Sequence, residues 1–215
     1  LSLGIPMAIQ SAAVSMSKVV LMAWINAEGV VFSALSGIYN KIGMMTGVVS
    51  NSFTTAGSSM IGQNLGAGEF ERVRKGVRAA LAMSITAVAV MGVIIYTNAP
   101  VCIRMFSSDP EVIEAGAGLI RIMCPFYVFL CFHQIFSSAL RASGHSSVPM
   151  MTSIISFVVL RQIFLAFTMP RWHEISLVGY CYSFTWMLAA LFTGFYYFHS
   201  RWLQKEQAHY KPRTV

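Results

Sequence analysis

Several apolar tracts in this chain are too long and too free of charge to be the buried helices of a soluble domain. From Val30 to Met60 the only charged residue is Lys41, and from Ala79 to Ile103 there is none. A bilayer core of ~30 Å needs ~20 apolar helical residues per crossing. Six tracts are read as crossings: Leu3–Ile25, Val30–Met60, Ala79–Ile103, Ile113–Leu140, Val148–Pro170 and Leu177–Phe198. Lipid-exposed backbone must satisfy its own hydrogen bonds, so each crossing is expected to be a helix. The predicted fold is an all-α, polytopic, six-helix membrane bundle over residues 1–203, with a polar, mobile tail over 204–215. Composition agrees. Of the 215 residues, 56% are hydrophobic and 11% charged, against about 25% charged in soluble domains.

Charge patterning sets the expected orientation. One set of loops carries Arg72, Arg74, Lys75 and Arg78, then Arg141, then Arg201, Lys205, Lys211 and Arg213. The alternate loops carry Glu28, then Arg104 with Asp109, Glu111 and Glu114, then Arg171 with Glu174. Cytoplasmic loops are enriched in Lys and Arg. The first set is therefore expected inside, with the C-terminus cytoplasmic, in a multi-pass protein of the plasma membrane. The net charge of +7 reads as membrane orientation, and no nucleic-acid partner is expected. In the tail, Lys205, Lys211 and Arg213 would sit near anionic lipid. The chain opens at Leu1 and runs into an apolar tract without a positively charged leader, which reads as a fragment of a longer protein.

Cations within the tracts are the main candidate functional groups. They are Lys18, Lys41, Arg121 and Arg161, and no tract has an acid near its middle. A charge in hydrocarbon is costly, so such residues should face protein or water, or snorkel. Arg121 lies near a helix end and can snorkel. The first tract has a polar face of Gln10, Ser11, Ser15, Ser17 and Lys18, and the second a stripe of Asn40, Gly47, Asn51, Thr55 and Ser58. The stripe reads either as a small-residue packing surface or as a cavity wall. The candidate cavity set is Gln10, Ser15, Lys18, Asn40, Lys41, Asn51 and Arg161. His133 reads as a packed, hydrogen-bonded histidine or as a proton relay. Pro125 is expected to kink the fourth tract.

Other chemistries find little support. Gly66-Ala67-Gly68 lacks the third glycine and preceding strand of a dinucleotide fingerprint. Cys102, Cys124, Cys131 and Cys181 form no CxxC pair and read as small apolar residues. No catalytic residues, metal site or cofactor are expected, and the chain is not read as an enzyme.

The polar island between the second and third tracts carries a family signal. Gly62-Gln63-Asn64-Leu65-Gly66-Ala67-Gly68, followed by Glu71-Arg72-Val73-Arg74-Lys75, resembles the loop after the eighth helix of multidrug and toxin extrusion (MATE) transporters. Leu3-Gly4-Ile5-Pro6 resembles the start of that family's seventh helix. Leu140-Arg141-Ala142-Ser143-Gly144, with Val148-Pro149-Met150 and then Arg161, resembles its tenth-to-eleventh helix passage. The resemblance runs to about Trp202. Gln63, Asn64, Gly66, Gly68 and Arg72 form the loop motif, whose glycines read as a helix stop and tight turn. The resemblance implies the C-terminal lobe of a twelve-helix exporter of small organic compounds. It also implies antiport against protons or sodium, and an N-terminal six-helix lobe as partner in the same polypeptide. Some members carry a coupling glutamate in the seventh helix. The matching Ala13-Val14-Ser15 has none, so the coupling ion is expected to bind mainly outside this chain. A flippase of lipid-linked oligosaccharide precursors and a non-transporting membrane subunit are the alternatives.

Overall fold

The computed structural model describes residues 4–210, within which every regular element is helical. Leu3, Lys211 and Arg213 lie outside the described residues. Helix α1 (Gly4–Ala27) turns at Gly29, whose φ of 114° is open to glycine, into α2 (Val30–Gly66). A three-residue turn leads to α3 (Phe70–Thr97). The short α4 (Ala99–Arg104) follows. Helices α5 (Pro110–Met123) and α6 (Tyr127–Ala142) form one rod, interrupted by a single 3-10 turn at Cys124–Phe126. Helices α7 (Ser147–Ile154) and α8 (Arg161–Trp172) form another, joined through a π-helical stretch, Ile155–Leu160. Then come α9 (Ser176–His199) and α10 (Trp202–His209).

Five rods are long and apolar enough to cross a membrane: Gly4–Ala27, Phe70–Thr97, Pro110–Ala142, Ser147–Trp172 and Ser176–Ala208. The sixth expected crossing, α2, has 37 residues, about 55 Å at 1.5 Å per residue. Its Ser, Thr, Asn and Gly residues dilute its apolarity, which leaves it outside that group.

Boundaries differ from the sequence reading in three places. The third helix starts at Phe70, because the basic island is itself helical, and it stops at Thr97. The break before Ile103 falls where Pro100 takes a place in the first turn of α4. There its missing N–H costs nothing, whereas mid-helix it would break the ladder. The third difference is at the C-terminus. The chain from Gln204 to His209 is helical, so the expected boundary at 203/204 lies within α10. Trp202 and Leu203, 2% and 8% exposed, anchor this helix.

Two apolar clusters hold the bundle. One joins Ile61, Val73, Val77, Leu140, Trp202 and Leu203 at the end that carries the basic residues. The larger joins Leu21, Leu35, Ile103, Leu119, Met169 and Val178 toward the end that carries most of the acids. Helix α2 packs on α3 and α6, and α6 packs on α9. The packing edge of α2 is Thr46, Ser50, Gly57 and Ile61, all buried, at the helical spacing that aligns one face. A Cβ on Gly57 would lie 3.2 Å from Ala80 Cβ on α3, the close approach that small residues permit between membrane helices. Met16, Val19, Phe195 and Phe198 remain largely exposed, an apolar exterior suited to lipid rather than water.

Candidate functional site

A cavity of about 570 Å³ opens between α1 and α2. Val14 and Lys18 of α1 form one wall, and Asn40, Gly43, Gly47 and Asn51 of α2 form another. The α2 residues recur at i, i+3, i+7 and i+11, a single helical face. Tyr127 and Gln134 of α6, Phe157 of the π stretch, Arg161 of α8, and Tyr182 and Trp186 of α9 close the back. Lys18 and Asn51 are exposed at the opening.

The floor is aromatic. Tyr39 and Tyr182 ring centroids lie 5.1 Å apart, Tyr127 and Trp186 4.8 Å, and Tyr182 and Trp186 5.7 Å. Such tilted pairs are favourable beyond the area they bury. Arg161 stacks on this cluster. Its guanidinium carbon is 4.4 Å from the Tyr182 centroid and 5.3 Å from that of Phe157. Its Nη2 donates to Thr185 Oγ1 at 3.2 Å.

The π stretch places Phe157 and Arg161. A π-helical turn leaves carbonyls without regular partners, and the polar face of α1 supplies one. Ser17 Oγ donates to the Phe157 carbonyl at 2.7 Å. Gln162 Nε2 donates back to the Ser17 carbonyl at 3.0 Å and to its Oγ at 3.1 Å.

A second pocket of about 330 Å³ adjoins the first, sharing Val14, Leu130, Gln134 and Phe157. Gln10, Ser15, His133 and Arg141 line it. Gln10 Nε2 donates to Ser153 Oγ at 2.8 Å. His133 is buried, with Nδ1 2.9 Å from Thr193 Oγ1 and Nε2 3.2 Å from Ser153 Oγ. Both ring nitrogens are thus engaged in packing contacts between helices. On α6, Gln134 Oε1 accepts from Ser50 at 3.1 Å and from Thr54 at 3.2 Å.

Of the candidate cavity residues, Lys18, Asn40, Asn51 and Arg161 meet in the main cavity, while Gln10 and Ser15 face the adjoining one. Lys41 does not join them. Its Nζ lies 5.0 Å from the Phe106 centroid, and its side chain is exposed. The reason is helical geometry: one residue along a helix turns the side chain through about 100°, away from the face of Asn40. The aromatic floor was missed in the sequence, where its rings cannot be told from lipid-facing ones by type or spacing.

The loop motif of the polar island is a helix terminus. Glu69 N–H donates to the Asn64 carbonyl at 2.8 Å and Gly68 N–H to that of Leu65 at 3.1 Å, with Gly68 at φ 73°. This paired bonding around a left-handed glycine is a Schellman stop. Asn64 Nδ2 donates to the Met60 carbonyl at 2.8 Å. Gln63 and Gly66 are exposed, and Arg72 pairs with Glu69 at 3.9 Å. None of the five lines the cavity.

Comparison with known proteins places this geometry in a family. The MatE family profile matches residues 6–167. The probable multidrug resistance protein YoeA of Bacillus subtilis is 25% identical over 202 residues, covering 92% of this chain and 43% of its own length. The probable multidrug resistance protein NorM of Thermotoga maritima is 30% identical over 122 residues, 57% of this chain and 26% of its own length. Among solved structures, the Vibrio cholerae MATE transporter VcmN superposes with a TM-score of 0.86 at 17% identity. That match covers 98% of this chain and 47% of VcmN. A MOP superfamily transporter from Pyrococcus furiosus gives 0.85 at 16%, covering 93% and 44%. These likenesses establish a shared fold, and the chain spans about half the length of the relatives it matches well. With the profile running from the first helix to the fifth crossing, this chain belongs to the MatE family of membrane transporters.

Proposed function

We propose that this chain is one lobe of a secondary active exporter of small organic compounds, with its cavity forming half of the transport site. The observation that carries this reading is the cavity itself. It is open on one side, floored by aromatic rings and edged by Lys18, Asn40, Asn51 and Arg161. Binding sites of this kind combine an apolar body with a few convergent polar groups. A second six-helix lobe of the same polypeptide would complete it, in keeping with the half-length coverage of relatives. Protons or sodium ions entering down their gradient would drive export, and the carboxylate that binds them lies elsewhere in that polypeptide. The described residues that line the cavity include no Asp or Glu. The basic end of the bundle faces the cytoplasm in this reading.

The test is efflux from cells that lack their own exporters and express the full polypeptide. Accumulated fluorescent compounds should leave faster than from control cells. That excess should vanish when a protonophore or a sodium ionophore collapses the gradient. Retention equal to the control, with the protein present in the membrane, would refute the reading.

A further inference from the structure

Arg161 is 2% exposed and presents a guanidinium group, yet no carboxylate lies within ion-pair distance of it among the described residues. Its partners are the Thr185 hydroxyl and two aromatic faces, none of which cancels its charge. Its Nε, fully buried, has no hydrogen-bond partner. The same cavity carries Lys18, at its exposed edge, and among the described residues that line it there is no acid. A buried, uncompensated cation in a low-dielectric wall projects positive potential into the space it borders. Guanidinium groups match the geometry of planar oxyanions. Aromatic rings 4.4–5.3 Å from that charge hold it in place and offer a flat surface beside it.

We propose that Arg161 and Lys18 make this cavity a site for an organic anion, with a carboxylate or phosphate-type oxyanion drawn by both cations and an aromatic body against Tyr39, Tyr182 and Trp186. Arg161 supplies the fixed field from behind the aromatic floor. Lys18, at the mouth, makes the contact. The proposal rests on the reading of the cavity as a transport site, and it names the charge of what enters. The same chemistry has a second source: an acidic side chain from elsewhere in the polypeptide could neutralise Arg161, leaving no free site.

The experiment is equilibrium binding of two xanthene dyes of similar shape and opposite charge, carboxyfluorescein and rhodamine 123, to the purified full polypeptide in detergent. No ion gradient is needed, so binding is read whether or not the protein exports anything. Saturable binding of carboxyfluorescein is expected, weakened about tenfold by Arg161→Gln, as for loss of a buried charge beside the site. Arg161→Lys should weaken it less, and neither change should weaken rhodamine 123. Lys18→Gln, at an exposed position that does not support the core, should weaken carboxyfluorescein several-fold. It decides the matter if Arg161→Gln does not fold. Absence of saturable carboxyfluorescein binding to the unaltered protein overturns the proposal and assigns Arg161 to an internal acid. Equal weakening of both dyes, or no effect of Lys18→Gln, overturns it as well. Failed efflux with intact anion binding would instead count against the transport reading alone.

Discussion

Gly68 answers to two constraints at once. Its φ of 73° lies in the left-handed region, and a Cβ built there would sit 2.6 Å from the Tyr210 ring. Gly144, in the second motif, has the first constraint without the second. It closes the same kind of stop, with His145 N–H donating to the Leu140 carbonyl at 2.8 Å and Gly144 N–H to that of Arg141 at 3.0 Å. Its φ is 83°, but nothing lies within 4 Å of the built Cβ. A left-handed non-glycine residue costs about 1–2 kcal/mol. Gly144→Ala should therefore lower stability by about that amount, and Gly68→Ala by more, since Tyr210 must also move. Thermal unfolding of the two variants in detergent, compared with the unaltered protein, checks the order; equal losses would mean that the Tyr210 contact contributes nothing. The stop at Gly68 was legible in the sequence because glycine after a helix carries a backbone requirement. Asn40 and Lys41 mark the opposite case. They are neighbours of similar polarity, and only the rotation of α2 about its axis sends one into the cavity and the other toward Phe106.

At the scale of elements, the α5–α6 and α7–α8 rods are interrupted midway, and only one of these breaks could be read beforehand. Pro125 cannot donate a backbone hydrogen bond, and the α5–α6 rod tightens into a 3-10 turn around it, at the place where a kink is expected from the sequence. The π stretch at Ile155–Leu160 has no such marker: Ile-Ser-Phe-Val-Val-Leu is unremarkable helical sequence in a membrane. Its support lies across the bundle: Ser17 Oγ on α1 donates to the Phe157 carbonyl within the stretch, and Gln162 donates back to the Ser17 carbonyl. Sequence reading found Ser17 on a polar face of α1 but could not say that this face docks on α7 and α8. Ser17→Ala removes the donor to Phe157 and one acceptor of Gln162. Membrane hydrogen bonds average about 0.6 kcal/mol, so the two together predict a loss of about 1 kcal/mol. A larger effect on function is expected than on stability, because the π stretch positions both Phe157 and Arg161 in the cavity wall. Thermal unfolding alongside dye binding distinguishes these. A stability loss with unchanged dye affinity would show that the stretch holds its shape without Ser17.

On the scale of the whole molecule, the two apolar clusters gather alternate loops at opposite ends. The basic-end cluster joins the termini of α2 and α6, the start of α3 and the anchor of α10. There Trp202 is 2% exposed, and its ring lies 5.5 Å from that of Tyr197. Replacing a buried tryptophan with alanine costs about 3–5 kcal/mol. Trp202→Ala should release α10 and sharply lower the unfolding temperature, and an unchanged temperature would mean that the helix does not brace the bundle. At the other end, His173 Nδ1 lies 2.8 Å from Glu28 Oε2, which ties the α1–α2 and α8–α9 connections together. Alternation of charge along the chain has thus become separation of charge in space. Arg72, Arg74, Lys75 and Arg78 lie in the same terminal layer as Arg201, with Asp109, Glu111 and Glu114 toward the opposite layer. Basic segments are retained on the cytoplasmic side, which makes the orientation testable one residue at a time. The background protein would have Cys102, the one cysteine that is not buried, replaced by serine. In it, Lys75→Cys should react with a membrane-impermeant maleimide in everted vesicles and not in intact cells. Glu111→Cys should react in intact cells. Both positions are exposed, so silence cannot be ascribed to burial. The reverse pattern would invert the bundle and place the opening between Lys18 and Asn51 in the opposite half of the membrane.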